Sequence, residues 1–231
     1  MKKHRKKIII GIIGLLLLIY VGVNGYLVNY AFVRDSVRLG SPAPKKAELL
    51  KKDQAWLAQT KQQTWTEKSA DGKLMLKARY VPAKKVTNET IVIAHGYREN
   101  SLLMASYIRM FHDLGYNVLA PDDRGAGRSE GRYITFGWQD RLDYQNWLKQ
   151  LIAKKGQDSK IGLFGVSMGG ATVMMMSGEK LPKQVKVIVE DCGYSSINEE
   201  LGTQLSAQFG LPKEPILTTA SWMAQPFIGF N

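Results

Sequence analysis

Apolar and polar positions follow three regimes along this chain. Ile8 to Val28 is apolar throughout, carries no charge, and is interrupted by one strongly polar side chain, Asn24. As a helix those 21 residues rise about 30 Å, the thickness of a bilayer's hydrocarbon core. Residues 45–63 mix charges with Leu50, Trp56 and Leu57 at helical spacing. That pattern predicts a charged helix, either a solvated stalk or an element packed on the domain that follows. From Thr64 onward short strands alternate with helices. Segments 64–69 and 74–81 flank Asp71-Gly72, a hairpin turn signal. Segments 90–94, 117–120, 160–164 and 185–189 are continuous apolar runs, as expected of strands covered on both faces. Helices are predicted over 101–114, 137–153 and 168–178, the second with Trp138, Leu142, Leu148, Leu151 and Ile152 on one side. An antiparallel opening followed by β–α units predicts an α/β sheet with helices on both faces.

Charge refines the first regime. The chain of 231 residues has 32 basic against 20 acidic side chains, a formal +12. Lys2, Lys3, Arg5, Lys6 and Lys7 all precede the apolar run. Basic residues stay on the cytoplasmic side, so residues 1–7 are expected to be a cytoplasmic tail and 8–28 a single transmembrane anchor. Residues 29–63 then form a linker, with Gly40-Ser41-Pro42-Ala43-Pro44, and a stalk helix. Residues 64–231 form an extracellular domain held at the cell membrane. A cleaved signal peptide is the rival, but the run is long and Asn29-Tyr30-Ala31 is a poor cleavage site. The remaining basic residues are scattered and accompany no nucleic-acid motif, so no nucleic-acid partner is expected. Cys192, the single cysteine, excludes an internal disulfide framework, and the three histidines His4, His95 and His112 offer no histidine-rich metal site. No metal or organic cofactor is implied.

Candidate chemistry sits at residues 165–169, Gly165-Val166-Ser167-Met168-Gly169. This G-x-S-x-G follows an apolar strand and opens a helical segment, the context of a nucleophile elbow. The glycines permit a turn too tight for flanking side chains. That turn lifts Ser167 above the sheet, over a helix N-terminus that favours developing negative charge. His95-Gly96-Tyr97 follows the 90–94 strand in the place of an oxyanion loop. The backbone N–H groups of Tyr97 and Met168 are the expected oxyanion donors.

Three segments, AHGYRENS (94–101), APDDRGAGRSEG (120–131) and LFGVSMGGAT (163–172), together resemble an α/β-hydrolase of the serine aminopeptidase or acyl-hydrolase type. More narrowly, they are similar to bacterial membrane-anchored hydrolases. The resemblance covers about residues 64–231 and implies that Ser167 attacks an ester, thioester or amide carbonyl of a small-molecule or peptide acyl substrate. It assigns Asp123 and Arg124 to the architecture of a buttressing loop, Asp122 to Ser129. It also implies a lid beginning at about 195, where Ile197, Leu201, Leu205 and Phe209 form an apolar stripe. The triad of this fold runs Ser, then Asp or Glu, then His, yet no histidine follows Ser167. His95 is committed to the oxyanion loop, and His112 belongs near the opposite edge of the sheet. Asp191 stands where some relatives place the acid, with no histidine to orient, so a loop-capping role is preferred. The expectation is therefore the N-terminal six strands of an incomplete hydrolase domain, inactive as this chain, with strand 185–189 as a bare apolar edge. A non-catalytic surface or binding protein on the same scaffold is the alternative.

Overall fold

A computed structural model describes residues 2–34 and 44–229; of the expected linker, Gly40-Ser41-Pro42-Ala43 lies outside the described residues. In chain order the elements are α1 (Lys2–Phe32), α2 (Pro44–Gln59), β1 (Gln63–Lys68), β2 (Met75–Val81), β3 (Glu89–Ala94), α3 (Ala105–Asp113) and β4 (Asn117–Asp122). They continue as α4 (Asp140–Lys155), β5 (Lys160–Val166), α5 (Met168–Ser177), β6 (Val185–Asp191), α6 (Ile197–Phe209) and α7 (Ile216–Ile228). The chain divides into two compact units: Arg38–Ile197, and Met1–Val37 with Asn198–Asn231.

The first of these units is built on a six-stranded sheet in the order β1-β2-β4-β3-β5-β6. β1 and β2 form the expected antiparallel hairpin, with Trp65 opposite Ala78. Its turn places Gly72 at φ +71°, a conformation free of Cβ cost only for glycine, and the Ser69 hydroxyl donates to Asp71 at 2.6 Å. β2 runs antiparallel to β4, while β3 is parallel to both β4 and β5, and β6 is parallel to β5. The three β–α–β crossovers carry α3, α4 and α5.

Alternation along the buried strands sorts their side chains into two cores. Val92, Ala94, Leu119, Ile161 and Leu163 join Tyr144, Trp147, Leu148, Val173 and Met176 of α4 and α5. Ile93, Val118, Ala120 and Phe164, offset by one residue, join Leu57, Met104, Ala105 and Ile108 on the other face. α2 is thus fastened to the sheet unit: Leu57 is fully buried, and the Trp56 ring lies 5.2 Å from that of His112. Asp53 accepts from Ser106 at 2.6 Å and Arg109 at 2.9 Å.

Two elements differ from the sequence reading. The helix expected from 101 starts at Ala105, because Asn100 Oδ1 accepts the N–H groups of Leu102 and Leu103 and Asp122 Oδ1 that of Ser101. α4 turns Asp140, Asp143, Tyr144, Trp147, Leu148, Leu151 and Ile152 inward, whereas Trp138 and Leu142 are exposed. An apolar-only criterion misplaces this face because two of its inward positions are carboxylates with buried partners. Among the described residues β6 is the sheet's edge, and Val187 and Val189 are about half exposed.

In the other unit every large apolar side chain from Ile8 to Ile19 is more than half exposed. α6 and α7 pack against the C-terminal part of α1, where Leu27, Leu205 and Ile216 form a buried cluster with Tyr20, Phe209 and Leu211 around it. α7 has no counterpart among the elements read from the sequence; Pro226 lies inside it.

Leu57→Ala separates a packed α2 from a solvated stalk. Emptying this site is expected to cost about 2–5 kcal/mol in urea unfolding of the full chain in detergent. A solvated helix would lose almost nothing.

Candidate active site

The strand–turn–helix at Ser167 is made of backbones in mutual contact. β5 ends at Val166, α5 begins at Met168, and Ser167 between them adopts φ +54°, ψ −115°. A positive φ at a residue with a Cβ is strained and persists only where the surroundings hold it. Two hydrogen bonds do so: the Ser167 N–H donates to the Asp191 carbonyl at 2.8 Å, and the Ser167 carbonyl accepts from Ala171 at 3.0 Å. A Cβ on Gly165 would meet the Gly169 carbonyl oxygen at 2.1 Å, and one on Gly169 would meet that of Ala94 at 2.0 Å. A Cβ on Gly193 would stand 2.7 Å from the Ala171 nitrogen. The elbow is therefore wedged between the ends of β3 and β6 with no room for side chains.

The loop after β3 lies beside it. Ala94 is in register with Gly165, and a Cβ on Gly96 would be 3.6 Å from the Val166 carbonyl. Tyr97 thus stands at the same sheet edge as Ser167 and Met168. Its ring stacks on Phe136 at 5.2 Å, and Arg98 lies 5.1 Å from its centroid. Phe136 in turn accepts the Tyr194 hydroxyl through its carbonyl at 2.8 Å. Glu99 reaches back to accept the Gly96 N–H at 3.1 Å, fixing the loop. Glu99 lies within the 94–101 segment, whereas Phe136 and Tyr194 carry no motif and nothing in the sequence pattern singles them out.

His95 is fully committed. Its imidazole is 1% exposed, Nδ1 donates to the Gly96 carbonyl at 2.8 Å, and Nε2 accepts the Asp123 N–H at 3.0 Å. Neither nitrogen is left to take a proton from Ser167. His112, on α3, is buried against Trp56 of α2. The Asp191 carboxylate lies at the end of β6, 3.5 Å from the Tyr107 hydroxyl, which donates to it. Burial first, and then Asp191, hold the Tyr107 phenol above its ordinary pKa.

The loop from Asp122 to Ser129 is an ionic lattice. Arg124, 5% exposed, grips Asp143 with Nε at 2.6 Å and Nη2 at 2.9 Å, and reaches Asp71 at 3.1 Å and Gln139. Its backbone N–H donates to Asp140 at 3.1 Å. Burial pushes the Asp143 carboxyl upward, with Arg124 opposing. Asp122 accepts from Ser101 and from the Arg128 guanidinium at 3.0 Å. Asp123 accepts the Tyr144 hydroxyl at 2.9 Å, and burial pushes its carboxyl up to about 7, the nearby His95 opposing. Asp123 and Arg124 thus bind the loop to Asp71, Asp140, Asp143 and Tyr144.

Two outcomes follow from this geometry. Gly169→Ala forces a Cβ into the Ala94 carbonyl and is expected to cost about 3 kcal/mol in chemical unfolding, with loss of any Ser167 reactivity. For Asp123 the folded carboxyl binds its proton more tightly than the unfolded one, whose pKa is near 3.8. Its contribution to stability is whole below 3.8 and is lost as pH rises toward about 7. Asp123→Asn, which cannot ionise, flattens that slope in urea midpoints measured across the interval.

Comparison with known proteins agrees with this geometry. A family model described as serine aminopeptidase, S33, matches residues 85–216. The uncharacterized protein YqkD of Bacillus subtilis is 32% identical over 143 residues, covering 62% of this chain and 47% of its own length. The chain thus spans about half of that curated relative. Among solved structures, the Pyrococcus furiosus esterase Pf2001 superposes with a TM-score of 0.59 at 24% identity, over 87% of this chain and 68% of its own. The α/β-hydrolase GrgF of a Penicillium species does so at 0.52 and 15% identity, over 74% and 68%. These two likenesses concern the fold. The match over residues 85–216 carries the membership: this chain belongs to the serine aminopeptidase S33 family of α/β-hydrolases.

Proposed function

We propose that the protein is a membrane-anchored serine hydrolase that transfers an acyl group from an ester, thioester or amide to water. Ser167 is the nucleophile, and the N–H groups of Tyr97 and Met168 receive the oxyanion. The observation that carries this reading is Ser167 at φ +54° between β5 and α5, wedged by glycines against β3 and β6. Strain of this kind is maintained at functional sites, and the helix N-terminus beside it stabilises negative charge. Esterase chemistry in the Pyrococcus structure accords with it but concerns that protein. α1, with five basic residues in its first turns and no charge from Ile8 to Val28, supports a single span with the hydrolase unit outside the cell.

Residues 1–231 contain no histidine after Ser167, and both nitrogens of His95 are engaged. A serine hydroxyl without a base is a weak nucleophile. These residues alone are therefore read as catalytically incompetent, the missing base being the reason. The same observation favours a second reading, a binding protein on the hydrolase scaffold.

A fluorophosphonate probe and p-nitrophenyl acetate distinguish them. The full chain is expected to react slowly at Ser167, with imidazole as an external base raising the rate several-fold and Ser167→Ala abolishing both. Labelling that ignores Ser167, or no response to imidazole, would favour the binding protein. Rapid Ser167-dependent turnover without imidazole would sink the claim of incompetence.

A further inference from the structure

We infer that α6 and α7 form a membrane-seated hairpin, α7 lying in the outer interfacial layer of the bilayer against α1 with Trp222 and Phe227 turned to lipid. This rests on the proposed reading of α1 as a transmembrane span. From Leu201 to Asn231 the only charged residues are Lys213 and Glu214, and α7 has none. Its 13 residues rise about 20 Å, too short to cross a bilayer and suited to an interfacial or re-entrant seat.

The polar character of α1 is placed where this arrangement needs it. Asn24 is fully buried, its Nδ2 donates to the Tyr20 carbonyl at 2.9 Å, and its Oδ1 has no partner among the described residues. Tyr20 and Leu27, four residues before and three after, share its face. Both meet the hairpin: the Tyr20 hydroxyl lies 2.8 Å from Thr219 Oγ1 and 3.2 Å from the Pro215 carbonyl, and Leu27 clusters with Leu205 and Ile216. Gly25 admits Met223 within 3.8 Å of where a Cβ would stand. Polar and small residues of a span turn toward protein, and uniformly apolar ones toward lipid. The bare stretch Ile8–Ile19 and the covered Asn24 follow that division.

α7 buries Ile216, Leu217, Ala220, Ala224 and Ile228 on one side. On the other, Trp222 is 67% and Phe227 59% exposed, an uncharged aromatic surface unsuited to water. Tyr26 and Tyr30 of α1 stack at 6.3 Å beside Phe209 of α6, and the Tyr30 hydroxyl donates to Gln208 at 2.7 Å. Aromatic rings with polar tips gather at the headgroup level of a bilayer. The hairpin's four charges lie at its membrane-distal parts, Glu199 and Glu200 in the first turn of α6 and Lys213 and Glu214 between the helices. The Lys213 stem fills the space over Gly202, where a Cβ would meet it at 2.9 Å, and its ammonium pairs with Glu199 back along α6. Glu214 accepts the Thr218 hydroxyl at 2.6 Å in the first turn of α7, where the helix N-terminus favours an anion. The occupant of the exposed face is thus the acyl–headgroup boundary of a lipid leaflet.

The test uses the full chain with Cys192→Ser and single cysteines from Leu18→Cys, Phe227→Cys or Val86→Cys, each labelled with an environment-sensitive fluorophore. The proteins are reconstituted in vesicles of phosphatidylcholine and phosphatidylglycerol, then challenged with doxyl-labelled lipid or aqueous iodide. The expected result is a several-fold loss of emission to doxyl lipid at Leu18 and Phe227, and to iodide alone at Val86. Quenching by lipid at Leu18 with iodide quenching at Phe227 overturns the hairpin's seat while the anchor stands. Shielding of Phe227 from both quenchers means a protein partner covers it, which also overturns the proposal. Absence of lipid quenching at Leu18 removes the span, and the proposal with it.

Discussion

Backbone in contact with backbone is the constraint on which the sheet unit turns. α5 can begin where it does only because Gly165 and Gly169 bring its first turn against β3, while Gly170 and Gly193 bring it against the loop after β6. Those contacts fix the direction of β5, the φ of Ser167 and the nearness of the Gly96 loop. Every property of the candidate site that has a geometric basis descends from them. The Asp191 carbonyl, accepting from Ser167, makes the end of β6 part of the same joint.

Around that joint the molecule uses charge as framework. Arg124 connects the β1–β2 turn through Asp71, the loop after β4 through its own backbone, and α4 through Asp143. A buried ion pair of this kind gains little over an apolar replacement, but removing one partner strands the other. Its value here is register: three segments distant in sequence are held to one guanidinium. His95 ties the loop after β3 to the loop after β4 by hydrogen bonds, its two imidazole nitrogens taken by the Gly96 carbonyl and the Asp123 N–H.

The parallel strands, the hairpin and the elbow were legible because each follows from local pattern: continuous apolar runs, Asp71-Gly72, and glycines flanking Ser167. The inward face of α4 was not, since Asp140 and Asp143 are buried by partners brought from elsewhere in the chain. α2 read equally as stalk or packed helix because a single fully buried side chain, Leu57, decides the matter. α7 was not legible because Pro226 interrupts its pattern and its apolar face is completed by Leu27 of α1 and Leu205 of α6. In the site, Ser167, Met168 and Tyr97 came from motif and position, whereas Phe136 and Tyr194 meet the Tyr97 loop only through folding.

The half-exposed valines of β6 have a kinetic meaning. Among the described residues β6 pairs on one side only, and a strand with one row of backbone groups unpaired is a template for another strand. Loss by such pairing is second order in protein, whereas loss by unfolding is first order. Dilution therefore slows the one and leaves the other untouched.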